Sequence, residues 1–273
     1  MVSQEQRRRQ LAREKFLRQQ QRRTSARRKA RMRNSVVASV LGVVVIGSLA
    51  LYTTGVLKGD DDSKENAGAE VTPSASPSKA PDPCEKPAEG KVRTATWKKE
   101  PALTVDKSAK YTMKLATTCG DIDIALKASA APHTVNSFDF LAGKRYFDHS
   151  KCHRLTTNGI YVLQCGDPTG TGTGGPGYNI PDENLKDKSL KNNIYPAGTI
   201  AMANTGQKNS GGSQFFLVYQ DSQLPPSYTP FGTVSESGMK VLKKIADAGE
   251  STGQGDGAPN ATVVINKATV TKS

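Results

Sequence analysis

The sequence predicts a mainly β domain, a closed β-barrel with two helices, carried behind a basic tail, an apolar span and a polar spacer. Three observations predict it. Seven or eight short runs read as strands, several with strict apolar–polar alternation, and long Gly-rich loops part them. Only two segments place apolar residues at helical spacing. Strands and helices do not alternate, which disfavours a parallel doubly wound sheet.

The charge is uneven. Of 273 residues, 38 are Lys or Arg and 25 are Asp or Glu, a formal net charge of +13. Residues 1–33 hold thirteen of the basic residues against two Glu, and the other 240 carry 25 basic and 23 acidic side chains. The basicity therefore belongs to a tail, residues 1–34, and the main domain has no excess charge with which to neutralise phosphates. Nucleic acid is not expected as its partner.

Residues 35–57, "SVVASVLGVVVIGSLALYTTGVL", carry no charge over 23 positions. A helix of that length crosses a hydrocarbon core of about 30 Å. A cleaved signal peptide would have a shorter n-region and a closing A-x-A site, and a buried core helix would show a polar stripe. The span is read as a single membrane anchor. The positive-inside rule then puts the tail in the cytoplasm, where it also meets anionic headgroups, and the rest of the chain outside. Residues 58–94 are rich in Pro, Ser, Ala and Asp and poor in branched apolar residues, so they read as a disordered spacer before a folded domain at 95–273.

All four cysteines, Cys84, Cys119, Cys152 and Cys165, fall on the expected outer side, where an even number favours disulfides. Cys152 and Cys165 flank the strand-like runs "CHRLT" and "YVLQC". If those form a hairpin the two thiols face each other, and Cys84 pairs with Cys119 by elimination. The rival reading is a metal site from His149, Cys152, His153 and Cys165, whose spacing fits no zinc pattern.

Within the domain, "YTMKLATT" and "DIDIAL" alternate around Gly120 as a hairpin would. "APHTVNSFDFLAGK" sets Val135, Phe138 and Leu141 at helical spacing, with Pro132 near its start and Gly143 near its end. The strand candidates "KCHRLT", "IYVLQC", "GTIAMAN", "SQFFLVY" and "PFGTV" follow. A helical "GMKVLKKIADAG" and a last strand, "ATVVINKATV", complete the order. "GTGTGGPG", at 170–177, satisfies G-x-G-x-x-G. A dinucleotide loop must open a helix whose amides meet the pyrophosphate, and here Pro176 and Pro181 block one. The loop is expected on the surface beside a groove, where small residues let a chain pass closely.

At "FDHSKCHRL", "VLQCGD", "GTGTGG", "AMANTG", "GGSQFFLVY" and "PFGTV" the chain resembles cyclophilin-type peptidyl-prolyl cis–trans isomerases. More narrowly, it resembles their membrane-anchored, extracytoplasmic actinobacterial members. The likeness covers about residues 111–271, in order and with family-like spacing. It implies an eight-stranded antiparallel barrel closed by two helices and proline-containing polypeptides as substrate; a monomeric domain is expected, and because X–Pro rotation breaks no bond, neither metal nor cofactor is. The family's catalytic arginine falls on Arg154 and its pocket glutamine on Gln164. The phenylalanine and methionine before that glutamine fall on Tyr161 and Val162. The peptide-binding "M-A-N-A" segment falls on Met202, Ala203, Asn204 and Thr205. Gln214 and Phe216 match the "S-Q-F-F" motif, and Leu224 and Tyr228 match the leucine and histidine at the pocket rim.

Some positions depart from the family pattern. "RLTTNGIYVLQ" is two residues longer than the usual "R-I-I-P-G-F-M-x-Q", and Cys152 stands where most relatives have Phe. Gln223 replaces the tryptophan that contacts cyclosporin, so weak cyclosporin binding is expected. The only tryptophan, Trp97, lies outside the matched region. The altered rim keeps a second reading open: a proline-binding chaperone or scaffold that retains the groove and catalyses little.

Overall fold

The eight strand-like runs all contain strands in the computed structural model, which describes residues 81–273. The basic tail, the apolar span and the spacer as far as residue 80 lie outside the described residues. Among the described residues no helix is long and apolar enough to cross a membrane.

In chain order the main elements begin with β1 (Tyr111–Thr117), β2 (Gly120–Leu126) and α1 (Pro132–Gly143). They continue with β3 (Ser150–Lys151), β4 (Arg154–Thr156) and β5 (Val162–Cys165). The two-residue β6 (Ile194–Tyr195) precedes β7 (Thr199–Met202), β8 (Phe215–Val218), the two-residue β9 (Ser222–Gln223) and β10 (Pro230–Val234). Last come α2 (Glu236–Asp247), the two-residue β11 (Asp256–Gly257) and β12 (Val264–Lys272).

Alternation fixes which way β1 and β2 face. Met113, Leu115, Ile122 and Ile124 are buried while their chain neighbours are not, as a half-buried antiparallel pair requires. The helices close the core at two places. α1 buries Val135, Phe138 and Leu141 and packs against β12. Phe138 stacks on Phe147 at 5.3 Å and meets Phe231 at 4.6 Å between ring centroids. Ala131, before α1, offers no side-chain cap, and the distant Glu183 carboxylate does that work. It accepts from the His133 and Thr134 amides at 3.0 and 2.9 Å and from the Thr134 hydroxyl at 2.8 Å. α2 is capped locally, Ser235 Oγ accepting from the Gly238 amide at 3.1 Å, and packs on β2.

One antiparallel sheet of ten strands runs β11-β4-β5-β8-β7-β10-β2-β1-β12-β3, and it is strongly curled. This differs from the expected closed, eight-stranded barrel. The third strand-like run splits into β3, at one end of the sheet, and β4, second from the other end, although only two residues separate them. At that split the Cys152 amide donates to Val263 O at 2.9 Å and the His153 amide to Gln164 O at 3.1 Å. Neighbouring residues thus bond toward opposite ends of the sheet, and no strand ladder joins β11 to β3 among the described residues.

The disulfides are Cys84–Cys119 and Cys152–Cys165, with Cα separations of 4.3 and 4.1 Å. The first corrects the domain boundary. Residues 81–94, expected to be disordered spacer, run along the domain. Besides the disulfide, Glu85 N donates to Thr118 O at 2.8 Å and Ala88 N to Asn266 Oδ1 at 3.0 Å. Farther on, Trp97 N donates to Pro176 O at 2.8 Å, and its ring lies edge-on to Phe140 at 5.2 Å. Composition reads this polar segment as spacer; the expected Cys84–Cys119 pairing ties it to the domain at one point, and the backbone hydrogen bonds hold it along the domain.

Candidate active site

The site grows from one cross-strand row. Arg154 on β4 is the register partner of Gln164 on β5, Gln164 of Phe216 on β8, and Phe216 of Ala201 on β7. Partners in antiparallel strands point to the same face. The opposite face of these strands, with Leu155, Leu163, Phe215, Leu217 and Ile200, belongs to the main core. The row itself opens onto a second apolar cluster built from Val162, Tyr195, Ala201, Phe216, Val218 and Leu224. One sheet therefore separates a closed interior from an outward-facing apolar patch with a cation at its end.

That patch forms a cavity of about 210 Å³. Phe216, Val162, Ile160 and Leu224 supply its apolar surface, Ala203 and Asn204 one wall, Tyr228 the rim, and Arg154 and Gln164 the polar side. Phe216 is held by its neighbours: Tyr228 meets its ring edge-on at 5.3 Å. Tyr228 is in turn fixed through Tyr195, whose hydroxyl donates to Tyr228 O at 2.8 Å and accepts from the Tyr228 amide at 3.2 Å. Burial pushes the Tyr195 phenol up to about 12, so it stays protonated and keeps that donor at any ordinary pH.

The polar side is a chain of side-chain hydrogen bonds. Arg154 Nη1 donates to Gln164 Oε1 at 3.2 Å, Gln164 Nε2 to Gln214 Oε1 at 2.9 Å, and Gln214 Nε2 to Gly174 O at 2.9 Å. The other side of the guanidinium meets Asp256: Nε donates to Oδ1 at 2.8 Å and Nη2 to Oδ2 at 2.9 Å. Asp256 raises the already high Arg154 pKa, so the group remains a cation. Asn204 Nδ2 donates to Ser227 O at 2.8 Å, which fixes the segment that walls the cavity.

A second cavity of about 400 Å³ adjoins the first and shares Gln164, Ala203 and Asn204 with it. Thr205 and Gln214 line this one, and the glycine loop from Gly172 to Gly177 forms its far wall. The loop does cradle an anion, but the anion is its own. The fully buried Asp167 carboxylate accepts from the amides of Thr169, Thr171, Gly172, Thr173 and Gly174 at 2.6–3.1 Å. A Cβ at Gly174 would collide with that carboxylate, so glycine is required there. Burial raises the Asp167 pKa, and the hydrogen bonds outweigh it, leaving the group down at about 2.

Most of the sequence-derived site residues come together around these two cavities: Arg154, Gln164, Val162, Ala203, Asn204, Phe216, Leu224 and Tyr228 at the first, Thr205 and Gln214 at the second. Tyr161 does not line either cavity. Its ring lies against Tyr219 at 5.9 Å, and Ile160 takes the expected place. The reason is strand alternation: with Gln164 and Val162 facing the cavity, the side chain on their face is that of residue 160. The two additional residues are absorbed just before, where Asn158 bridges to Ile160 around Gly159. Gln223, on β9, is exposed and lines neither cavity. Asp256 was not anticipated, since it lies 102 residues from Arg154 in a Gly-rich loop with no motif of its own.

Comparison with known proteins agrees with this geometry. The family model described as "Cyclophilin type peptidyl-prolyl cis-trans isomerase/CLD" matches residues 112–270. The probable peptidyl-prolyl cis-trans isomerase B of Mycobacterium leprae is 46% identical over 208 residues, covering 73% of this chain and 66% of that protein. Its Mycobacterium tuberculosis counterpart is 44% identical, with 73% of this chain and 63% of that protein covered. The chain thus spans slightly under two thirds of the length of these relatives. Among solved structures, a Cryptosporidium parvum cyclophilin type peptidyl-prolyl cis-trans isomerase, crystallised in the presence of the dipeptide Ala-Pro, superposes with a TM-score of 0.50 at 27% identity. That match covers 59% of this chain and 99% of the other. With the motif residues gathered on one face and the family model spanning most of the folded part, the chain belongs to the cyclophilin-type peptidyl-prolyl cis–trans isomerase family.

Proposed function

We propose that the domain accelerates X–Pro rotation in exported or cell-surface polypeptides. The supporting observation is the row in which the cationic Arg154 and its partner Gln164 stand beside an apolar cavity built on Phe216. Rotation about X–Pro must overcome roughly 18–20 kcal/mol of amide resonance. No bond is broken, so the reaction calls for no nucleophile. The cavity holds the proline ring by burial. As the amide twists, the nitrogen lone pair localises, and a fixed guanidinium N–H donates to it more strongly than to the planar ground state. Gln164 and the wall at Asn204 hold the flanking peptide groups. On the same reading the curled sheet corresponds to the family's eight-stranded barrel, with the chain at residues 150–156, and not a strand ladder, crossing between its two ends.

The apolar span at 35–57 supports a single-pass anchor with the basic tail inside and the monomeric domain outside the membrane. Both disulfides suit such an oxidising compartment. A proline-isomerisation assay on residues 81–273 tests the activity. Acceleration well above the buffer rate is expected. A folded domain that binds a proline peptide and leaves the rate at the buffer value would overturn the enzyme reading in favour of a binding module.

A further inference from the structure

We infer that Asp256 is a positioning residue for Arg154, through which the loop at 250–257 sets the orientation of the guanidinium; this rests on the isomerase reading above. Arginine has five N–H donors in a planar fork. Three are engaged here, two by Asp256 and one by Gln164, which leaves two for a substrate. Gln164 alone would hold the group at one point and allow it to swing. The bidentate carboxylate adds two parallel bonds on another edge, and the plane is then determined.

The loop is built to present that carboxylate. Asp256 and Gly257 pair with Thr156 and Leu155, which places β11 beside the strand that carries Arg154. The buried Glu250 organises the loop from within. Its Oε2 accepts from the Thr252 amide and hydroxyl at 2.6 and 2.7 Å, and its Oε1 from the Gly255 amide at 2.8 Å. Gly255 O accepts from the Thr157 amide at 3.0 Å, and at φ +90° a Cβ there would collide with Asn158. The ion pair itself is open to water, with side-chain exposures of 38% and 57%, so it contributes little to stability. Its content is geometric. The carboxylate also offsets part of the cation's field, but water screens that effect, whereas a misplaced donor loses catalysis outright.

The experiment is a double-mutant cycle on the isomerisation rate of the full chain, with Asp256→Asn measured in the wild-type and Arg154→Ala backgrounds. In the wild-type background kcat/KM should fall about tenfold to a hundredfold with KM little changed. In the Arg154→Ala background the same substitution should change the rate less than about twofold, because no guanidinium remains to be positioned. Asp256→Glu should recover part of the loss. A readout independent of turnover accompanies it: the Arg154 Nε–H NMR signal should be protected from exchange in the wild type and lose that protection in Asp256→Asn. Equal losses in both backgrounds, or an Asp256→Asn domain as active as an active wild type, would overturn the inference and leave the isomerase reading standing. A wild-type domain without activity would instead remove the isomerase reading, and the inference with it.

Discussion

Arg154 and Gln164 are register partners on neighbouring antiparallel strands, and Arg154 Nη1 donates to Gln164 Oε1 at 3.2 Å. The backbone ladder therefore sets the distance between the cation and the side chain that steadies it, and the Cys152–Cys165 disulfide lies beside both. Rigidity of this kind is what a donor acting only in the transition state needs.

Arg154→Lys should keep the charge and lose the planar fork. Removing one preorganised donor typically costs on the order of 100- to 1,000-fold in rate. The loss should appear equally in kcat and kcat/KM, since Phe216 and Leu224 still hold the proline ring. A folded Arg154→Lys domain with near-full activity would make Arg154 structural.

Asp167→Asn should destabilise the domain by loosening the glycine loop, whose Gly174 O also ends the hydrogen-bond chain from Arg154. An amide presents one N–H₂ to a ring of backbone N–H donors, and orphaning buried donors costs roughly 1–3 kcal/mol per group. A loss on the order of 3 kcal/mol would lower Tm by about 2–4 °C per kcal/mol. Differential scanning calorimetry measures it, and an unchanged Tm would show that the loop does not depend on the carboxylate.

Stability should fall at acid pH in two stages. Burial holds the His153 imidazole below its ordinary 6.5, with Asp167 pulling it back up and Arg154 and Lys151 pushing it down. Folded His153 stays neutral while the unfolded chain takes up a proton, so its contribution is complete above pH 6.5 and declines as pH falls toward the folded value. Asp167, lowered from 3.8 to about 2, stabilises the fold above its unfolded value and loses that contribution between those two pH values. Isomerase activity should be nearly flat between about pH 6 and 8, because Arg154 remains charged and Gln164 does not titrate. Chemical unfolding at several pH values, with the rate measured alongside, checks both statements; a stability maximum near pH 5 would contradict the first.

Thiol titration of the denatured, unreduced protein should find essentially none of the four cysteines free. Replacing Cys84 and Cys119 by serine releases a crosslink of sequence separation 35. In the loop-entropy account that costs about 4 kcal/mol, with the rate preserved because the link lies away from Arg154. Loss of activity in a folded variant would show that the N-terminal arm acts on the site.

Cyclosporin should inhibit weakly. Gln223 is exposed on β9 and lacks the large apolar face and the indole N–H that a tryptophan would offer, a deficit of roughly 1.5–3 kcal/mol. Gln223→Trp should tighten inhibition. Low-nanomolar inhibition of the wild type would contradict the expectation.

How far the site could be read in advance varies from residue to residue. Alternation along 111–117 and 120–126, and the 3.6 period through Val135, Phe138 and Leu141, are local patterns that any half-buried strand or helix must show, so these elements were legible. Arg154, Gln164 and Phe216 were legible because each sits in a short run that resembles a cyclophilin motif, with several such runs in order along the chain. Tyr161 stands one residue out of step with Val162 and Gln164, so alternation turns it to the other face and gives its expected place to Ile160; the motif match alone did not apply that period.

By itself, then, the sequence determined the main elements and their order through short-range periodicity, the disulfide pairings through one expected hairpin and elimination, and the residues at the centre of the site through their resemblance to family motifs. Only the tertiary structure decided that Asp167 fills the glycine loop and that Asp256 grips Arg154. It also decided that residues 81–94 run along the domain and that β3 lies at one edge of the curled sheet while β4 lies next to the other. The physical reason is common to all four. Each depends on which backbone amides, carboxylates and strand edges are brought together when distant segments pack, and a chain's local pattern of apolar and polar residues carries no record of those pairings.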